Sequence, residues 1–152
     1  MATAIVVFGS TTGSTETLAS SVEAGLKEGS VNVTVKNVTQ TGVEELGSYD
    51  CIILGSSTWG LGDLQDDFFP FYEKLADVTL HGKKAAVFGP GDEESFPDNF
   101  CTAVDTLEER LTECGAVMAA SKLKIHTATG AGVDEEAKEE VKAWALTLAK
   151  SL

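Results

Sequence analysis

The octapeptide Gly9–Glu16 carries five hydroxyl side chains, Ser10, Thr11, Thr12, Ser14 and Thr15, and two glycines directly after the apolar run Ala4–Phe8. Backbone N–H groups at the start of a helix point outward without partners, and the helix dipole adds partial positive charge there. A strand-to-helix turn of this composition therefore suits an anion such as a phosphate. No side-chain cation assists, because the first lysine of the chain is Lys27, so a dianion would be held by neutral donors alone. Serine and threonine are also good N-caps, and simple capping is the competing reading. The glycine spacing removes two alternatives. A Walker A loop needs four residues between its glycines and then a lysine, whereas Gly9 and Gly13 enclose three and Ser14 follows. A dinucleotide fingerprint needs a third glycine that neither Glu16 nor Thr17 supplies.

Two further segments could meet this turn. Gly55-Ser-Ser-Thr-Trp-Gly-Leu-Gly-Asp63 places an indole in a glycine-rich loop, and Gly89-Pro-Gly-Asp-Glu-Glu-Ser-Phe96 adds a second glycine-rich, acidic one. Trp59 has no apolar stripe to join, so it suits a stacking platform for a flat ligand, with a packed loop anchor as the alternative. The glycines around it allow close backbone approach and low-cost peptide rotation. No residues are arranged as nucleophile, general base or metal ligands: His81 and His126 lack metal spacing, and no metal is expected. Cys51, Cys101 and Cys114 form neither a CxxC pair nor an even set, which predicts reduced, buried small hydrophobes.

The elements that must position these loops alternate along the chain as apolar runs and helical patterns. This is the signature of an α/β fold with a parallel sheet. Strands are expected at 3–8, 31–36, 50–56, 84–89 and 117–125, with helices between them. Stripes of the i, i+3, i+4 type appear at Leu18, Val22 and Leu26, at Phe100, Ala103, Val104, Leu107 and Leu111, and at Ala137, Val141, Trp144, Ala145 and Leu148. Trp144 therefore reads as core. A further helix at about 66–76 contains Pro70, which is tolerated only in a first turn. The first, third and fourth strands are continuously apolar, as central strands covered on both faces are. The second alternates Val31, Val33 and Val35 with polar residues, and the fifth turns polar at Ser121, Lys122 and Lys124, so both read as edges. With right-handed crossovers this fits the order 2-1-3-4-5, which puts a ligand at the carboxyl ends of strands one and three.

Composition bounds the rest. The 152 residues suit one domain, 1–152, able to bury about 70% of the surface its unfolded chain exposes. A formal charge of −13 disfavours nucleic acid and anionic membrane and favours basic partner proteins. With no apolar stretch near membrane length and no basic leader segment, a soluble, cytoplasmic protein is expected, and a monomer is the expected state.

Gly9-Ser-Thr-Thr-Gly-Ser-Thr-Glu16, Ser57-Thr-Trp-Gly60, Leu64-Gln-Asp-Asp-Phe68 and Gly89-Pro-Gly-Asp92 with Phe100-Cys101 closely resemble the short-chain flavodoxins, and the resemblance spans the whole chain. It implies a flavodoxin-like, three-layer, doubly wound fold and non-covalently bound FMN. By this resemblance Ser10, Thr11, Thr12, Gly13, Ser14 and Thr15 would wrap the FMN phosphate, aided by Ser57 and the Trp59 indole N–H. Thr58, Trp59 and Gly60 would line the isoalloxazine. Gly91, Asp92 and Cys101 would lie near its pyrimidine side, and Leu61, Gly62 and Gly89 complete the set. The chain departs from the family at Ser14, often Asn. It departs again at Ser95, where a Tyr commonly stacks on the outer flavin face; Phe96, one residue later in a longer loop, is the expected second stacking ring.

The implied function is a low-potential one-electron carrier, not an enzyme, cycling mainly between semiquinone and hydroquinone. Gly60 would let the following peptide rotate toward flavin N5 in the semiquinone. Asp63, Asp66, Asp67, Asp92, Glu93 and Glu94 would disfavour the anionic hydroquinone. A unit charge roughly 10 Å away contributes about 1–2 kcal/mol at an effective dielectric of about 20. The same acids would meet basic redox partners. A receiver domain shares the strand order but needs acidic residues where Phe8-Gly9 and Gly55-Ser56 stand. A small FMN-dependent NAD(P)H or quinone reductase of the same fold, and a specialised activating flavoprotein, are the remaining alternatives.

Overall fold

The computed structural model describes residues 2–9, 13–59, 63–64, 66–91, 101–126 and 133–152. Strand β1 (Thr3–Gly9) leads into helix α1 (Ser14–Glu28) and β2 (Asn32–Asn37). Then come β3 (Cys51–Ser56), a short hairpin of β4 (Thr58–Trp59) and β5 (Asp63–Leu64), and α2 (Phe69–Leu75). The chain continues through β6 (Lys84–Gly91), α3 (Thr102–Glu113), β7 (Val117–Met118), β8 (Leu123–His126) and α4 (Glu135–Lys150).

The main sheet runs β2-β1-β3-β6-β7, with β8 also paired to β6, and its pairs are parallel. Counting β7 and β8 as one interrupted fifth strand, this is the order 2-1-3-4-5, with the expected strands at both edges. Side chains alternate between faces with the strand period of two. Ile5, Val7, Ile52, Leu54, Ala85 and Val87 pack with Phe71 and Leu75 of α2 and with Val104, Leu107 and Leu111 of α3. Ala4, Val6, Phe8, Ile53, Ala86 and Phe88 pack with Leu18, Val22 and Leu26 of α1 and with Val141, Ala145 and Leu148 of α4. Each buried Val, Leu, Ile or Phe contributes roughly 1.5–3 kcal/mol, so these two layers fix the strand register that carries the site.

Three expectations are corrected. Between β2 and β3 there is no α-helix; 3₁₀ turns at Val38–Gln40 and Val43–Ser48 fill the connection. That segment lacks an i, i+3, i+4 stripe, and Glu45 closes it locally by accepting from the Gly42 N–H (2.8 Å) while its other oxygen holds Lys36 Nζ (2.6 Å). The expected helix at 66–76 is a 3₁₀ turn, Asp66–Phe68, followed by α2, in which Pro70 occupies the first turn where its missing N–H is harmless. The fifth strand is split. Lys84 pairs with Val117 and Phe88 with Leu123, so this strand carries two more residues than β6 over the same stretch. Trp144 is half-buried against the α1/α4 layer, and its indole Nε1 donates to the Ser121 carbonyl (2.9 Å) within the interruption.

All three cysteines are buried and free, as expected. Cys114 Sγ donates to the Leu75 carbonyl at 3.1 Å. Burial pushes the Cys51 thiol up to about 12. Among the described residues no helix is long and apolar enough to cross a membrane.

Candidate functional site at the carboxyl end of the sheet

The chain winds in opposite directions from β1 and β3, and the carboxyl ends of such a strand pair are where doubly wound sheets bind their ligands. Gly9 of β1 pairs with Ser56 of β3, which places the ends of both strands side by side. The turn after β1 enters α1 at Gly13, whose φ of 91° is the left-handed conformation that glycine adopts without strain. Gly13 offers no side-chain cap; its carbonyl accepts from the Thr17 N–H and Thr17 Oγ1, both at 3.0 Å. Helical geometry leaves the first-turn amides without partners inside the helix.

Beside those amides lies Thr15, 1% exposed, whose Oγ1 has no hydrogen-bond partner. A buried hydroxyl left unpaired costs about 1–3 kcal/mol. An orphaned donor at a helix N-terminus, outside the end of a central strand, fits a phosphate group. Pure capping does not account for it, because the capping residue is a glycine.

The second segment follows β3. Ser57 is half-buried and its carbonyl accepts from Ser56 Oγ at 2.9 Å. Trp59 pairs with Asp63 and Thr58 with Leu64, so the segment read as a loop is a two-stranded antiparallel hairpin packed against α3 and β6. The sequence carries no alternating run there long enough to announce a strand.

On the β6 side, a Cβ on Gly89 would meet the Ser56 carbonyl and approach Val104 Cγ2 at 2.8 Å, so only glycine lets β3, β6 and α3 come together here. Cys101, 1% exposed, caps α3 in the left-handed region at φ 52°, ψ 34° and donates its Sγ to the Gly89 carbonyl at 3.4 Å. Gly91 ends β6 opposite His126. Thus Gly13, Ser14, Thr15, Ser57, Thr58, Trp59, Gly89, Gly91 and Cys101 lie on elements that end at one side of the sheet. Ser10, Thr11, Thr12, Gly60, Leu61, Gly62, Asp92 and Phe96 lie outside the described residues.

Sequence reasoning missed a charged cluster at this edge. Lys124 sits opposite Gly89, and its Nζ donates to Asp105 Oδ2 of α3 at 2.8 Å, while Lys122 Nζ lies 2.7 Å from Oδ1. Burial pushes the Asp105 carboxyl upward, but the hydrogen bonds from Lys122 and Lys124 outweigh it and hold the group below its ordinary value. The hydrogen bond to Asp105 also raises Lys122. With Glu108 3.9 Å from Lys122 as a second carboxylate, the two cations that the fifth strand brings toward the site are matched by two acids.

Among the described residues no group of three or more His, Cys, Asp and Glu could hold a metal ion. The arrangement offers neutral anion donors and close backbone approach, which suits holding a phosphorylated cofactor.

Comparison with known proteins agrees with this geometry. The flavodoxin family model matches residues 6–144. A flavodoxin of Maridesulfovibrio salexigens is 45% identical over 128 residues, covering 82% of this chain and 86% of that protein. A flavodoxin of Nitratidesulfovibrio vulgaris is 40% identical over 149 residues, 95% of each chain. The crystal structure of oxidised flavodoxin 2 from Bacillus cereus superposes with a TM-score of 0.90 at 37% identity, covering 99% of this chain and 100% of that one.

Proposed function

Because this chain belongs to the flavodoxin family of FMN-binding electron-transfer proteins, we propose that it is a low-potential one-electron carrier whose cofactor is held by the three loops at the carboxyl end of the sheet. The observation that carries the assignment of the site is Thr15 Oγ1, buried and without a partner at the start of α1. Ser10, Thr11, Thr12, Gly13, Ser14 and Thr15 would hold the FMN phosphate through neutral donors, with help from Ser57. Thr58, Trp59, Gly60, Leu61 and Gly62 would line the ring system. Gly91, Asp92 and Cys101 would lie near its pyrimidine side with Gly89 beside them, and Phe96 would be the second stacking ring.

FMN supplies, when bound, a ring that accepts and releases electrons one at a time. The protein's part is to bind and orient it and to set the cost of added negative charge. A phosphate held without cations and Asp92, Glu93 and Glu94 in the third loop oppose that charge, and the pairing of Lys122 and Lys124 with Asp105 and Glu108 keeps the two lysines from offsetting it. The potential is lowered accordingly. The partners are basic redox proteins that meet an acidic protein of net charge −13, which carries its electrons as a cytoplasmic monomer. Nucleic acid and anionic membrane are repelled by the same charge.

Titration of apoprotein with FMN, followed by absorbance during stepwise reduction with and without NADPH, tests the reading. Stoichiometric uptake with two resolved one-electron steps and no NADPH oxidation supports it. Rapid NADPH turnover, or failure to take up FMN, overturns it.

A further inference from the structure

The described residues expose two large hydrophobic side chains, Phe69 (51%) and Val117 (61%), and they stand at opposite ends of the sheet. Val117 pairs with Lys84 at the start of β6. Phe69 opens α2, directly after the 3₁₀ turn Asp66–Phe68, which packs against β1 and the turn that follows β2 at the carboxyl side. Its neighbour Phe68 is fully buried and anchors that turn in the core, so the backbone bearing Phe69 is fixed although its ring faces water.

Phe69 is not solitary. Its ring lies 6.3 Å from that of Tyr72, and the Arg110 guanidinium of α3 sits 4.1 Å over the Tyr72 ring. The result is a rigid aromatic patch with a stacked arginine, the residue types enriched where proteins bind one another. Its border is acidic. Asp67, Glu73 and Asp77 are exposed, and helical periodicity puts Glu73 about 40° from Phe69 around α2 while turning Lys74 about 140° away.

We propose that Phe69 and Tyr72 form the apolar anchor on which a basic redox protein docks, with the surrounding carboxylates meeting its lysines. This rests on the electron-carrier reading and names the flank of the site that the partner covers. A second copy of the chain is disfavoured as occupant, since each copy carries a net charge of −13. A cationic protein with an apolar cofactor edge ringed by lysines matches the patch in both respects. In the encounter one electron leaves the reduced holoprotein and converts a ferric haem to ferrous.

The test is stopped-flow reduction of ferricytochrome c, a basic haem protein, by dithionite-reduced holoprotein under anaerobic conditions, varying salt. Phe69→Ala is expected to lower the second-order rate constant about fivefold or more. Its salt dependence, FMN content and reduction potential should match those of the unsubstituted protein, because no charge has changed. Phe69→Leu should restore most of the rate, and Val117→Ala should leave it unaltered. A Phe69→Ala rate within twofold of the parent, or an equal loss in Val117→Ala, overturns the anchor and leaves the carrier function standing. A holoprotein that binds FMN but does not reduce ferricytochrome c overturns the docking surface while FMN binding stands.

Discussion

Asp105 holds Lys124 at 2.8 Å on the strand position that faces Gly89, and holds Lys122 at 2.7 Å with its other oxygen. Asp105→Asn would leave Lys124 without its carboxylate and Lys122 with Glu108 alone, at 3.9 Å, at the edge of the cofactor site. The potential of bound FMN should rise, on the order of 20–60 mV at low salt, and the rise should shrink as salt screens it. Redox titration at two ionic strengths checks this.

The same carboxylate gives a pH signature. Its folded value lies below its unfolded one, so its stabilisation is present above about pH 4 and fades as the pH falls through the folded value. Because the pairs are partly exposed, about 1 kcal/mol is expected after allowance for solvent screening. Urea unfolding should show Asp105→Asn less stable than the parent at pH 7, with the gap closing below about pH 4.

Thr15→Val separates capping from ligand binding. The apoprotein no longer buries an unpaired hydroxyl, so its stability should be unchanged or rise by about 1 kcal/mol. FMN affinity should fall about tenfold, as fluorescence titration would show. Loss of apoprotein stability with intact FMN affinity would assign the hydroxyl a purely structural role.

The α1–α4 contact is closer than ordinary side chains allow. A Cβ on Gly25 would meet the Lys142 carbonyl and lie 2.7 Å from Ala145 Cβ. Gly25→Ala should cost about 1–3 kcal/mol by overpacking. Gly47→Ala, where a Cβ meets nothing within 4 Å, should be neutral or mildly stabilising in thermal unfolding.

Native cysteines should resist thiol reagents. Cys51 is fully buried with its thiol pushed up to about 12, and Cys101 and Cys114 are 1% and 6% exposed. Ellman's reagent at pH 8 should find almost no reactive thiol before denaturation and three afterward, from Cys51, Cys101 and Cys114.

The sequence made the central sheet legible because Ile5, Ile52 and Ala85 lie in runs apolar on both faces, while β2 and the fifth strand interleave polar residues. Strand order followed from that contrast. What stayed hidden depends on distance along the chain or on local closure. Asp105 meets lysines 17 and 19 residues away, with no periodicity linking them. The Trp59–Asp63 pairing is too short to print a pattern, and the link between β2 and β3 is shaped by Glu45 and Gly42 rather than by an apolar stripe. Thr15 was legible as one hydroxyl among five; only the fold distinguishes it as the one buried without a partner.

The two surplus residues of the fifth strand lie between Met118 and Leu123, at the outer border of the sheet. There a carbonyl, that of Ser121, is answered by the Trp144 side chain instead of a neighbouring strand. Chain length is thus uncoupled from ladder register at this seam. Extra residues inserted there would leave Val117 facing Lys84 and Leu123 facing Phe88. The border can lengthen or shorten while the ladder on either side of it keeps its register, which makes this seam a natural place to graft a new segment onto the scaffold.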